Sequence, residues 1–160
     1  MMVIWGGYDG AGYLTDGKQY RPDLNTWPVT LPNDATTPSG RTQHTTVWAP
    51  GSGPAGQDYM IVWGGWQGAA GTAQDTGGKY DPNANTWEAT SLVGAPVARW
   101  GHVGVAAGPQ MVVWSGQSST NAVLQSGGKY SPAGDSWQAA QLFKAPLGSI
   151  GAKAAWAGDT

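Results

Sequence analysis

MIVWGG at Met60–Gly65, followed by GKYDPNANTW at Gly78–Trp87, decides the fold of this chain. The first stretch is a short apolar run closed by Trp63 and the pair Gly64–Gly65. Short runs rich in Val, Ile, Trp and Tyr and bounded by Gly, Pro and Asn read as strands. In the second stretch Tyr80, Pro82 and Asn83 mark a tight turn between two further strands. Proline presets φ there, and Asn or Gly tolerates left-handed backbone. No segment carries a sustained 3.6-residue apolar period, so no helix is expected.

Working outward, both stretches recur. MVIWGG at Met2–Gly7 and MVVWSG at Met111–Gly116 repeat the first. GKQYRPDLNTW at Gly17–Trp27 and GKYSPAGDSW at Gly128–Trp137 repeat the second, and Tyr20, Tyr80 and Tyr130 each stand seven residues before Trp27, Trp87 and Trp137. A Pro-containing connector follows each second stretch and leads to a third block. That block reads RTQHTTVW at Arg41–Trp48, RWGHVGVA at Arg99–Ala106 and SIGAKAAW at Ser149–Trp156. The anchors recur 58 to 60 and then 50 to 51 residues apart, the difference sitting mainly in an insertion at Ala49–Asp58. Regular self-similarity of this kind is the signature of a repeat architecture.

Each unit reads as four antiparallel strands: a (the Arg-x-x-His block), b (the Trp-Gly-Gly block), c (the Gly-Lys-Tyr block) and d, beginning near the second Trp. The three linked motifs resemble kelch repeats, in the bacterial form R-x-x-H-T-x-V-W, M-I-V-W-G-G, G-G-x-Y-D-P-x-x-x-x-W, over virtually the whole chain. The resemblance implies an all-β, kelch-like β-propeller with three four-stranded blades in one domain over 1–160. Strands b-c-d occupy 2–31, a-b-c-d 41–92, a-b-c-d 99–142, and a closing strand a 149–159. The third strand a departs from the pattern, with Ser149 in place of Arg and Ala152 in place of His.

The order begins at a strand b and ends at a strand a. Joining tail to head places Trp156 nine residues before Trp5, or eight if Met1 is discounted, matching the eight between Ala106 and Trp114. Three blades cannot close alone, since propellers have about four to eight. The expectation is a homodimer that closes head-to-tail into a six-bladed ring, burying Val3, Ile4 and Trp5 of one chain against Ile150, Ala154 and Trp156 of the other. A fragment of a longer propeller is the competing reading.

Composition narrows the function. Of 160 residues, 37 are Gly or Pro and ten are Trp, while only 11% are charged, which is unlike a disordered chain. No apolar run approaches the ~20 residues of a membrane span. Eight basic and ten acidic residues without a basic cluster make nucleic acid a poor partner. The absence of Cys excludes disulfides and thiolate chemistry. No signal segment is apparent, and compartment stays open.

Candidate residues follow from exceptions to the repeat. The repeated Tyr and Trp residues are read as packing between blades. His44 and His102 lack partner carboxylates, so no metal site, cofactor or catalytic triad is expected. Two roles fit Arg41 and Arg99 near the inner strands: bracing the connectors, or offering forks to an anionic ligand. The b–c loops at Tyr8–Asp16, Trp66–Thr76 and Gln117–Ser126 vary in sequence, and Tyr8, Tyr13, Trp66 and Trp100 break the symmetry there. Aromatic rings on such loops suit saccharide stacking or protein recognition. The functional expectation is a non-enzymatic binding and assembly module with a protein or glycan ligand. The alternatives are a propeller scaffold of a carbohydrate-active enzyme, and an engineered or fragmentary half-propeller that only folds and self-assembles.

Overall fold

The computed structural model describes residues 1–68 and 71–158. Ala69, Ala70 and Asp159, which fall within an expected loop and the expected closing strand, lie outside the described residues, as does Thr160. All the regular structure described is β. Strands β1 (Met2–Trp5), β2 (Gly17–Arg21) and β3 (Thr26–Thr30) form the first sheet. The second sheet contains β4 (Thr45–Ala49), β5 (Tyr59–Trp63), β8 (Gly77–Asp81) and β9 (Thr86–Ala89), and a hairpin of β6 (Trp66–Gln67) and β7 (Thr72–Ala73) rises between its middle strands. The third contains β10 (Val103–Ala107), β11 (Gln110–Trp114), β12 (Gly127–Ser131) and β13 (Ser136–Ala139).

One register serves all three sheets. Met2 pairs with Tyr20 and Trp5 with Gly17; Met60 with Tyr80 and Trp63 with Gly77; Met111 with Tyr130 and Trp114 with Gly127. The hairpin turns after β2, β8 and β12 are equally uniform. Each ends on an Asx residue in left-handed backbone, Asn25 (φ 52°), Asn85 (φ 54°) and Asp135 (φ 42°). The tyrosine five residues earlier donates its hydroxyl hydrogen to that side chain: Tyr20 to Asn25 at 2.8 Å, Tyr80 to Asn85 at 2.6 Å and Tyr130 to Asp135 at 2.5 Å. Asn and Asp tolerate positive φ, and the tyrosine bond holds them in it. β3 differs by a bulge opposite Gln19–Arg21, where Pro28 sits in an outer strand that needs no donor on its free side.

The core lies between sheets. Alternate residues of a strand face opposite ways, and β5 uses both faces. Met60 and Val62 join Trp5, Leu31, Tyr80 and Trp87 in one buried cluster, while Ile61 and Trp63 join Val47, Met111, Val113 and Tyr130 in another. Across the first seam Trp5 meets Trp87 with ring centroids 5.6 Å apart; across the second, Trp63 meets Trp137 at 5.1 Å. Strands β4 and β10 lie side by side at the inner edge. Antiparallel sheets stacked face to face in this way are consistent with a β-propeller.

Two regions lack a neighbouring sheet among the described residues of this chain. Residues 149–158 join no ladder within this chain, although they begin on the expected course. Trp27 is 44% exposed where its counterpart Trp87 is 2% exposed, because no sheet lies before the first. Truncating Trp87 to Ala empties a packed site and should cost ~3–5 kcal/mol in equilibrium unfolding. A loss under ~1 kcal/mol would show that its ring does not support the seam.

Candidate functional site

Each connector between sheets ends where a b–c loop begins. Gly7, Gly65 and Gly116 donate their backbone N–H to the carbonyls of Arg41, Arg99 and Ser149, at 2.9, 2.8 and 3.2 Å. Loops and connectors therefore share one side of the molecule. Ser149 keeps this bond despite lacking the Arg side chain, and Ser115 Oγ adds a second to its carbonyl at 2.6 Å.

Arg41 and Arg99 have the bracing role. Arg41 is 1% exposed and engages all five donors: Nε on the Ser39 carbonyl, Nη1 on the carbonyls of Gly64 and Thr76, Nη2 on the hydroxyls of Ser39 and Thr76. Arg99 is fully buried and repeats four of these five bonds, on Val97, Ser115 and Ser126, since Val97 has no hydroxyl to match that of Ser39. Burial draws both guanidinium pKa values down to about 10, with Asp75 opposing the shift at Arg41, so both remain charged at neutral pH. A planar fork carrying five donors matches diverging carbonyls in a way an ammonium cannot. Arg41→Lys should thus fail to rescue the fold, losing ~3 kcal/mol or more against urea, because buried carbonyls are left without donors. Near-native unfolding of that variant would overturn the bracing role.

The histidines sit behind the Gly pairs. His102 shares a hydrogen bond of 2.9 Å with Thr45 Oγ1 and lies edge-on to Trp63, centroids 5.2 Å apart. Gly64 makes room for it: at φ 68°, a Cβ there would stand 2.5 Å from His102 Cε1. His44 lies against Trp5 in the same way at 5.5 Å. Burial first, and then the charges of Arg41 and Arg99, hold His44 to about 4 and His102 to about 3. Both are neutral when folded, whereas the unfolded chain gains protons below its ordinary histidine pKa near 6.5. Stability should therefore be unaffected by these groups above pH 6.5 and decline from there to about pH 4 for His44 and about pH 3 for His102, by up to ~1.4 kcal/mol per pH unit for each histidine. His102→Gln should flatten that slope in denaturant titrations from pH 7 to 4, and an unchanged slope would count against the assignment.

The remaining candidates form two aromatic pairs. Tyr8 packs at a tilt against Tyr13, centroids 5.2 Å apart, inside a loop whose turn is closed by Asp9 Oδ1 accepting from Ala11 and Gly12 N–H, both at 2.8 Å. Trp66, on β6, meets Trp100, on the next connector, at 5.4 Å and 69°. Backbone bridges fix the pair: Trp66 exchanges two bonds with Thr42, and Trp100 exchanges two with Gln117. A cleft of about 240 Å³ opens beside the rings, lined also by Gln43 and Asn121. The latter two were not singled out by sequence, yet both hold left-handed backbone, at φ 55° and 61°. Asn tolerates this conformation, whereas for Gln43 it is uncommon and is a signal that only coordinates reveal. Among the described residues, no group of three or more metal-ligating side chains converges.

At the ends, Ile4, Ile150 and Trp156 are about half exposed and Ala154 is exposed, whereas Trp5 is already buried by Trp87 and His44 within the chain, with Val3 packed beside it. Trp5 could contribute only its backbone to a joint between chains.

No protein-family model matches the chain. It is 34% identical over 120 residues to the Rab9 effector protein with kelch motifs of Bos taurus, and 33% identical over 118 residues to that of Homo sapiens. The repeats are consistent with kelch repeats. The matches take in 74% and 71% of this chain but only 30% and 29% of those proteins, so it spans under a third of the relatives' length.

Proposed function

We propose that this chain is a non-enzymatic, protein-binding propeller segment of three blades, completed to a six-bladed ring by a second copy joined head-to-tail, and that its loop side receives the partner. The observation that carries the binding reading is the Trp66–Trp100 pair, half-buried, locked by backbone bridges and open to a cleft edged by the uncharged amides of Gln43 and Asn121. Rigid aromatic rings beside adaptable amides are the composition of protein-recognition surfaces. Kelch-motif relatives described as effectors support a protein partner over catalysis. The reading is tested by panning an immobilised peptide library and a glycan array with the whole chain. Trp66→Ala should leave unfolding within ~1 kcal/mol of wild type and abolish peptide capture. Capture by glycans with none by peptides would overturn the assignment of a protein partner.

Closure rests on continuity of the repeat. In the second sheet Thr42 bridges Trp66 and Thr45 pairs with Trp63; in the third, Trp100 bridges Gln117 and Val103 pairs with Trp114. Carried to the open edge of β1, the same register sets Ile150 opposite Tyr8, Lys153 opposite Trp5 and Ala154 opposite Ile4. Trp114 would then meet Trp27 of the partner as Trp63 meets Trp137. Folding coupled to association makes the melting temperature rise with protein concentration. A monomer near 10 µM by light scattering, with a concentration-independent melt, would exclude the ring.

A further inference from the structure

The face of each strand c that carries the strand d Trp also holds a seat, and two of the three are filled by proline. In the second sheet, Pro38 of the preceding connector lies over Gly78 beside Trp87: a Cβ on Gly78 would stand 2.6 Å from Pro38 Cγ and 3.0 Å from Trp87 Cε3. The third sheet repeats this with Pro96, Gly128 and Trp137, the corresponding distances being 2.7 and 3.2 Å. In the first sheet the same place is an open cleft of about 420 Å³, lined among others by Ile4, Gly17, Lys18 and Trp27. The connector that has no seat within the chain is the third. Its proline, Pro146, is exposed, while Pro38 is buried and Pro96 half-buried.

The third connector also has the shape that the seat accepts. Leu142-Phe143-Lys144-Ala145-Pro146 turns as Leu92-Val93-Gly94-Ala95-Pro96 does: Ala145 and Ala95 N–H donate to the carbonyls of Leu142 and Leu92, at 3.1 and 3.2 Å, and Lys144 and Gly94 both hold positive φ, at 58° and 74°. The segment is thus preformed although its proline is left exposed. A proline ring set on Trp is a recurrent mode of peptide recognition, because little chain entropy is lost.

We propose that the cleft between Lys18 and Trp27 is a proline-binding site whose occupant is the Leu142–Ser149 connector of a second copy; this rests on the head-to-tail reading above. One residue sets it apart from the two internal seats. Lys18 stands where they have Gly78 and Gly128, and its Cβ occupies the space into which Pro38 and Pro96 project. Pro146 therefore sits roughly 1 Å further out, at ordinary carbon contact distance. The joint between copies is the loosest of the seams, and Lys18 is what loosens it.

Sedimentation equilibrium of the full-length chain, with Lys18→Gly and Pro146→Ala variants, tests the assignment. Lys18→Gly should tighten self-association at least tenfold and Pro146→Ala should weaken it at least tenfold, with both variants keeping the wild-type circular dichroism spectrum. Self-association that neither substitution changes would overturn the proline site and leave head-to-tail closure standing. If the wild type and both variants are monomeric, closure fails, and the site is decided by fluorescence anisotropy of a labelled Gln141–Ile150 peptide. Binding that Lys18→Gly strengthens and Trp27→Ala abolishes would support the site, and absence of binding would overturn it.

Discussion

Everything in this molecule depends on the seam between sheets. Each sheet has strands of four or five residues and apolar side chains on both faces, so alone it could bury neither. Stacking solves this: a Trp from strand b of one sheet meets the Trp of strand d in the next, at 5.6 Å in one seam and 5.1 Å in the other. Edge-on and tilted aromatic contacts of this kind add to the burial of large rings. The middle sheet, with a neighbour on each side, shows the result, since all five residues of β5 are buried. The first and third sheets each have one face with no neighbour, which is why Trp27, Met2 and Ile4 stand 44–49% exposed.

A stacked assembly of short sheets needs its connectors held as firmly as its strands. The buried arginines do this by drawing together carbonyls from a connector and a b–c loop that lie far apart in the chain. Glycines at Gly64 and Gly78 permit the close approach of a His ring and a Pro ring, respectively. Charge enters the interior where acceptors surround it, with five bonds at Arg41 and four at Arg99, or in the ion pair of Lys79 with Glu88 at 3.1 Å. The loop side inherits this rigidity. Trp66 and Trp100 are presented by backbone bridges and not by a flexible loop, so a ligand there would meet a preorganised surface.

Much of this was legible from residue order alone. Strand positions followed from short apolar runs, and turn positions from Tyr-x-Pro and the following Asx, because alternation and turn chemistry are local properties. The recurrence of Trp27, Trp87 and Trp137 pointed to packing for the same reason, although only the last two find a neighbour. The candidate site was legible in part. Trp66 and Trp100 stood out by breaking the repeat, but Gln43 and Asn121 carried no mark, since which side chains edge a cleft is decided by surroundings distant in the chain.

The sequence by itself determined the repeat, the turns and the order of strands, all of which depend on neighbours a few residues away. Tertiary structure alone decided which of two roles Arg41 plays, because its acceptors at Gly64 and Thr76 lie 23 and 35 residues off. It alone brought Trp66 against Trp100, and left Pro146 exposed while Pro38 is covered. Identical motifs acquire different surroundings according to whether another sheet lies beside them, and that is a property of the stack, not of any single repeat.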